Sequence, residues 1–235
     1  MTSISQHISK QFDNDLENIR SQVLAMGGLV EQQLTGSITA LIESDLEIAE
    51  NVIKSEFNVN RFEVSIDEEC TRILAKRQPA AVDLRLIMAV IKTITDLERI
   101  GDEAEKIARM AVRLSEKNAP KAYYIGLKAM GNLVNHMVHD ALDAFARMDS
   151  RAALSVASKE PTSDDQYVAI LRQLITYMME DPRNITSSMD VIWSARAMER
   201  IGDHARNICE YVIYFVEGKD VRHISIEEME KEVNS

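Results

Sequence analysis

The chain has 235 residues, 46% of them hydrophobic, which is enough apolar material for a packed core and excludes wholesale disorder. Its 38 Asp and Glu outnumber its 27 Lys and Arg, leaving a net charge of −11. That balance suits cations or basic protein surfaces and argues against a nucleic-acid partner.

In chain order, the polar opening "MTSISQHISKQFDND" has no signal-peptide apolar region. Residues 23–42 then place Val23, Met26, Val30, Leu34, Ile38 and Leu41 at three- and four-residue steps, an amphipathic helix stripe. From 46 to 77, Val52, Val59, Ile66 and Ile73 recur every seven residues, with Ala49, Phe62 and Cys70 in the adjacent row. Pro79 ends that helix. A third helix is predicted over about 83–115. A second set follows at 122–149, 152–180 and 184–217, with Gly218 placed to cap the last. The remainder, 219–235, reads as an acidic tail, solvated or loosely helical. No strand alternation or hairpin turn appears, so the fold class is all-α: six long helices in two tandem duplicated three-helix bundles.

The duplication rests on two matches. "LAMGGLV" resembles "KAMGNLV", with Met26 and Met130 set 104 positions apart, and "ERIGD" occurs at 98–102 and again at 199–203, 101 positions apart. Two matches in the same order favour a repeat. The expected domains are 8–118 and 122–218, each large enough for its own core.

Each ERIGD sets Glu and Asp four residues apart. At 100° per residue, Leu84, Ile87, Ile91 and Ile94 lie under Glu98 and Asp102, and Ile185, Ile192 and Ala195 lie under Glu199 and Asp203. Acids on an apolar line repel one another and resist burial, so something must compensate. One option is internal ion pairing through Arg99, Arg200, Arg109 or Arg206. The other is a divalent or trivalent metal, since hard cations take oxygen ligands from facing helices. The second helix of each set offers such ligands. Glu56 and Asn60 stand four apart, and 104 positions later come Glu160 and Asp164. Pro161 suits a first helical turn, which predicts that Glu160 sits at a helix start and points away.

With the ERIGD helices, the paired "AMGxLV" helices and the six-helix duplication in place, the chain resembles the PhoU family of phosphate-signalling regulators. The resemblance covers roughly residues 8–218 and implies two PhoU-type bundles whose E(D)xxxD motifs hold iron, zinc, manganese or magnesium. By that resemblance the metal positions are Glu98, Asp102, Glu199 and Asp203, with Glu56, Glu160 and Asp164 as companions; Asn60 departs from the acidic pattern. It further implies a non-enzymatic, negative regulator of phosphate uptake and of the phosphate regulon. Such a regulator is cytoplasmic and homodimeric, linking the ATPase subunit of the Pst phosphate ABC transporter to a PhoR-type sensor kinase. It meets membrane complexes only through those partners.

Two competing readings are a di-metal carboxylate enzyme and a metal-free structural dimeriser. The enzyme class expects Glu-x-x-His pairs, whereas His204 directly follows Asp203. His136 and His139 stand three apart, but their counterparts are Gln32 and Thr35, so they read as a surface pair. No nucleophile motif or glycine-rich phosphate loop is present. Cys70, Cys209 and Trp193 are expected in packing roles, and the two cysteines lack metal-type spacing, which fits a reducing compartment.

Overall fold

Two turns of the same design set the architecture. Ser44 (φ 57°) and Met148 (φ 50°) are left-handed residues at the ends of their helices. The amide after each bonds back across the last turn, Asp45 to the Ala40 carbonyl at 3.1 Å and Asp149 to the Ala144 carbonyl at 3.0 Å. Each aspartate then caps the next helix with its side chain, Asp45 accepting from the Ile48 amide and Asp149 from those of Arg151 and Ala152. A left-handed stop followed at once by an Asp N-cap folds consecutive helices back on each other. All three pairs of positions are 104 residues apart, so the turn itself is duplicated.

The structure, a computed structural model, describes residues 10–79, 81–117 and 123–234, and the expected limits at residues 8, 118 and 122 lie outside them. The described residues are helical and contain no strand. The first bundle comprises α1 (Lys10–Glu43), α2 (Leu46–Arg77) and α3 (Ala81–Ser115). The second comprises α4 (Tyr123–Arg147), α5 (Ser150–Ala157), α6 (Glu160–Glu180) and α7 (Ile185–Glu217), with a 3₁₀ turn over Pro182–Asn184. The helix expected over 152–180 is thus divided. Pro161 lacks an amide proton and its ring would clash with a preceding turn, so the chain breaks at Ser158–Lys159 and α6 begins with Pro161 in its first turn.

The bundles join along α3 against α7 and α1 against α4, with α2 and α6 on the outside. At the α1–α4 crossing, a Cβ on Gly27 would lie 2.6 Å from Leu142, and one on Gly131 would lie 2.9 Å from Ile38. These two contacts exchange under the 104-residue repeat: the bundles meet through a pseudo-twofold seam. Thr35–Asn135 and Glu31–His139, both side-chain pairs across the same crossing, are equivalent in the same way.

Of the two expectations for the C-terminal segment, the helical one holds and the solvated one does not: it forms α8 (Ile226–Asn234), docked on α5, with Met229 and Val233 buried and Val221 buried ahead of it. Its acidic surface disguised a short apolar line. Trp193, expected to pack, is 58% exposed. Cys70 and Cys209 are core residues, and burial pushes the Cys70 thiol up to about 12.

Candidate metal centre

The glycine of each ERIGD explains how the acids come close to another helix. A Cβ on Gly101 would meet Gln33 Oε1 at 3.2 Å and Val59 at 3.5 Å; one on Gly202 would meet Ser163 Oγ at 3.1 Å and Met137 at 3.7 Å. Gln33 and Met137, like Val59 and Ser163, are repeat equivalents. Without side chains at these positions, α3 approaches α1 and α2, and α7 approaches α4 and α6, each at a helix-propensity cost of about 1 kcal/mol.

In the second bundle the carboxylates converge. Glu160 and Asp164 on α6 and Asp203 on α7 each place one oxygen within 4.8 Å of the others. Glu160 does begin its helix, but it does not point away: its side chain turns into the α6–α7 groove, where Arg206 Nη1 donates to its Oε2 at 3.1 Å. One turn before Asp203, Glu199 is only 8% exposed. One of its oxygens pairs with Arg196, and the other, Oε2, is buried without a hydrogen-bond partner. A buried carboxylate oxygen left unsatisfied is costly and is the feature a cation would relieve.

The electrostatics agree. Burial, then the neighbouring Asp203, raises Glu199 above the usual carboxylate range. Burial and Asp164 do the same to Asp203. Burial raises Glu160 too, against the pull of Arg206. These partly buried groups sit in each other's fields.

The first bundle is arranged differently. Glu98 and Asp102 are half-buried, and both are raised, mainly by burial; Asp102 and Glu63 add to the effect at Glu98. Neither makes an ion pair among the described residues. Glu56 is bound by the Asn60 amide, and three converging carboxylate oxygens are not found here among the described residues. Glu63, raised by burial and by Asp67 and Asp102, joins this acidic group and was not singled out from sequence. Its signal was present: Glu63 follows Glu56 by seven residues, on the same face of α2.

The arginines considered as internal partners divide their roles. Arg200 pairs across the seam with Glu103 at 2.8 Å, Arg109 with Glu105 on its own helix at 2.6 Å, and Arg206 with Glu160 and Glu210 at 3.1 Å each. Among the described residues only Arg196, which sequence reasoning passed over, pairs with an ERIGD acid. His136 bonds the Asn132 carbonyl and His139 pairs with Glu31, both exposed on α4, while His204 turns to the buried Asp96.

A family model described as the PhoU domain matches residues 23–111 and again 127–212, one copy on each bundle. The chain belongs to the PhoU family. This PhoU-family chain is 49% identical over 230 residues to the phosphate-specific transport system accessory protein PhoU of Escherichia coli (strain K12), covering 97% of this chain and 95% of that one. It is 52% identical to the PhoU homolog of Pseudomonas aeruginosa over 233 residues, 99% of this chain and 96% of that one. A crystal structure of PhoU from P. aeruginosa matches with a TM-score of 0.87 at 52% identity, covering 88% of this chain and 100% of that one. The phosphate transport system regulatory protein PhoU from Streptococcus pneumoniae matches with a TM-score of 0.83 at 30% identity, over 89% of this chain and 99% of that one.

Proposed function

We propose that this chain is a cytoplasmic, non-enzymatic negative regulator of phosphate uptake and of phosphate-responsive genes. It acts as an adaptor between the ATPase subunit of a phosphate ABC transporter and a sensor kinase. The observation that carries this reading is the match of both bundles to the PhoU domain, together with about half-identity to phosphate-transport accessory proteins across nearly the whole chain. No helix among the described residues is long and apolar enough to cross a membrane, consistent with contact through partners. Exposed Phe57, Val64, Met179 and Trp193 supply apolar area for a homodimer or for such partners.

The domains run 8–118 and 122–218, with 219–235 as an acidic C-terminal element. The acidic groups are cation sites: Glu160, Asp164, Glu199 and Asp203 in the second bundle, Glu56, Glu98 and Asp102 in the first. The residues fit a cation that accepts oxygen ligands, iron, zinc, manganese or magnesium, because all are carboxylates and one buried oxygen has no other partner. A bound ion supplies positive charge; the protein contributes two helices held close by Gly202 and acids already destabilised by their neighbours.

The test is genetic. Cells lacking the protein are expected to express phosphate-regulated genes and take up phosphate in ample phosphate, with repression restored by the wild-type chain. Unchanged expression and uptake after deletion would overturn the regulatory reading.

A further inference from the structure

The two copies of ERIGD supply the same acids, but the basic residues set around them differ. In the second bundle, Arg206 bridges Glu160 and Glu210 at 3.1 Å to each, and Arg196 holds Glu199 while lying over the Tyr167 ring at 5.7 Å. At the repeat-equivalent positions of the first bundle stand Glu105, Thr95 and Glu63. Glu105 pairs with Arg109, and Thr95 bonds its own helix at the Ile91 carbonyl. The first site therefore has acid or hydroxyl where the second has guanidinium or ring. Four carboxylates in the second bundle face two ion-paired arginines, whereas Glu98 and Asp102 have no ion pair among the described residues.

We propose that Arg206 is a resident counter-ion of the second-bundle carboxylates, competing with a divalent cation for Glu160. This rests on the metal reading above. Arg206 is suited to the role because it does not depend on Glu160 alone. Glu210, 6% exposed, holds its Nε at 3.1 Å, so the guanidinium stays in place when Glu160 turns toward an ion. Its positive charge then opposes the ion at short range in a poorly screened groove. Glu160 itself occupies the first turn of α6, immediately after the Ser158–Lys159 break. The arginine keeps the metal-free site quiet and sets the cation concentration at which the site fills, a threshold the first bundle lacks.

The test is a Mn²⁺ titration of the full chain by calorimetry in a Glu98→Gln, Asp102→Asn background, so that the second site is read alone. Arg206→Met is expected to tighten Mn²⁺ binding by about fivefold or more. Arg206→Lys, which keeps the charge, should bind close to the parent, and Asp203→Asn should abolish binding. Arg206→Gln serves as the same probe where the Met variant does not fold, as judged by its thermal transition. Mn²⁺ binding that is lost in Asp203→Asn but unchanged or weakened in Arg206→Met would overturn the counter-ion role while leaving the metal site standing. No Mn²⁺ binding in any of these chains would overturn both.

Discussion

Nδ1 of His204 lies 2.7 Å from Oδ1 of Asp96, joining α7 to α3 at the centre of the seam between the bundles. Asp96 is 2% exposed and also accepts from Asn207 Nδ2 at 3.1 Å and the Tyr211 hydroxyl at 2.8 Å. The Asp96 carboxylate thus faces three groups able to donate to it. Replacing Asp96 with Ala strands three donors in a buried seam and is expected to cost about 2–4 kcal/mol. Chemical denaturation measures the loss, and amide exchange should show α3 and α7 opening first.

The seam between α1 and α4 depends on its two glycines. A side chain on Gly131 must displace Ile38, whose nearest methyl would sit 2.9 Å from the new Cβ. Gly131→Val is expected to destabilise the chain by about 1–3 kcal/mol through overpacking. Ile38→Ala in the same chain should recover part of that loss, a coupling a double-mutant cycle reads directly.

Neutralising Glu199 and Asp203 to Gln and Asn should leave the metal-free fold intact. Burial raises both acids above their ordinary values of 4.5 and 3.8, with Asp203 adding to the effect at Glu199 and Asp164 to that at Asp203. Their protonated forms therefore favour the folded state; that contribution is fully present below the unfolded values and is lost as pH rises through the folded ones. Metal-free wild type should lose stability across that acidic window, and the double variant should show a flatter profile with an equal or higher transition temperature at pH 7.

His139 and Glu31 form the exposed ionic counterpart of the Thr35–Asn135 pair. Glu31, by hydrogen bond and charge, raises His139 above 6.5. The stabilisation is fully present below the unfolded value and fades as pH rises through the higher folded one. With the imidazole 69% exposed, solvent screening limits the effect. His139→Gln is expected to cost no more than about 0.5 kcal/mol at pH 6 and nothing measurable at pH 9, by thermal unfolding at both pH values.

The helices, their duplication and the inward turn of the acids were legible because each is a regular signal: apolar residues at helical spacing, a five-residue match occurring twice, acids on an apolar line. Features without a period were not. Asp96 has Ala197 at its equivalent position, so the duplication pointed away from the seam's principal polar contact. Arg206 appeared as one of four candidate partners, and nothing in its spacing assigned it to Glu160, because that contact depends on where α6 restarts after Lys159. Pro161 signalled the restart but not the direction of Glu160, which is set by how closely Gly202 lets α6 approach. Docking of α8 escaped for a related reason: Val221, Met229 and Val233 are too few to show a stripe within an acidic stretch.

The central claim is that the repeated acidic helix of the second bundle is half of a cation site completed by α6. Its most direct test is the metal content of the full chain purified without chelator, wild type beside a Glu160→Gln, Asp164→Asn, Asp203→Asn variant, each reloaded with Mn²⁺ and desalted before elemental analysis. The account predicts retained metal in the wild type, with the loss of one bound site's worth in a variant that still folds. Equal metal in both proteins, or none in either, would contradict it.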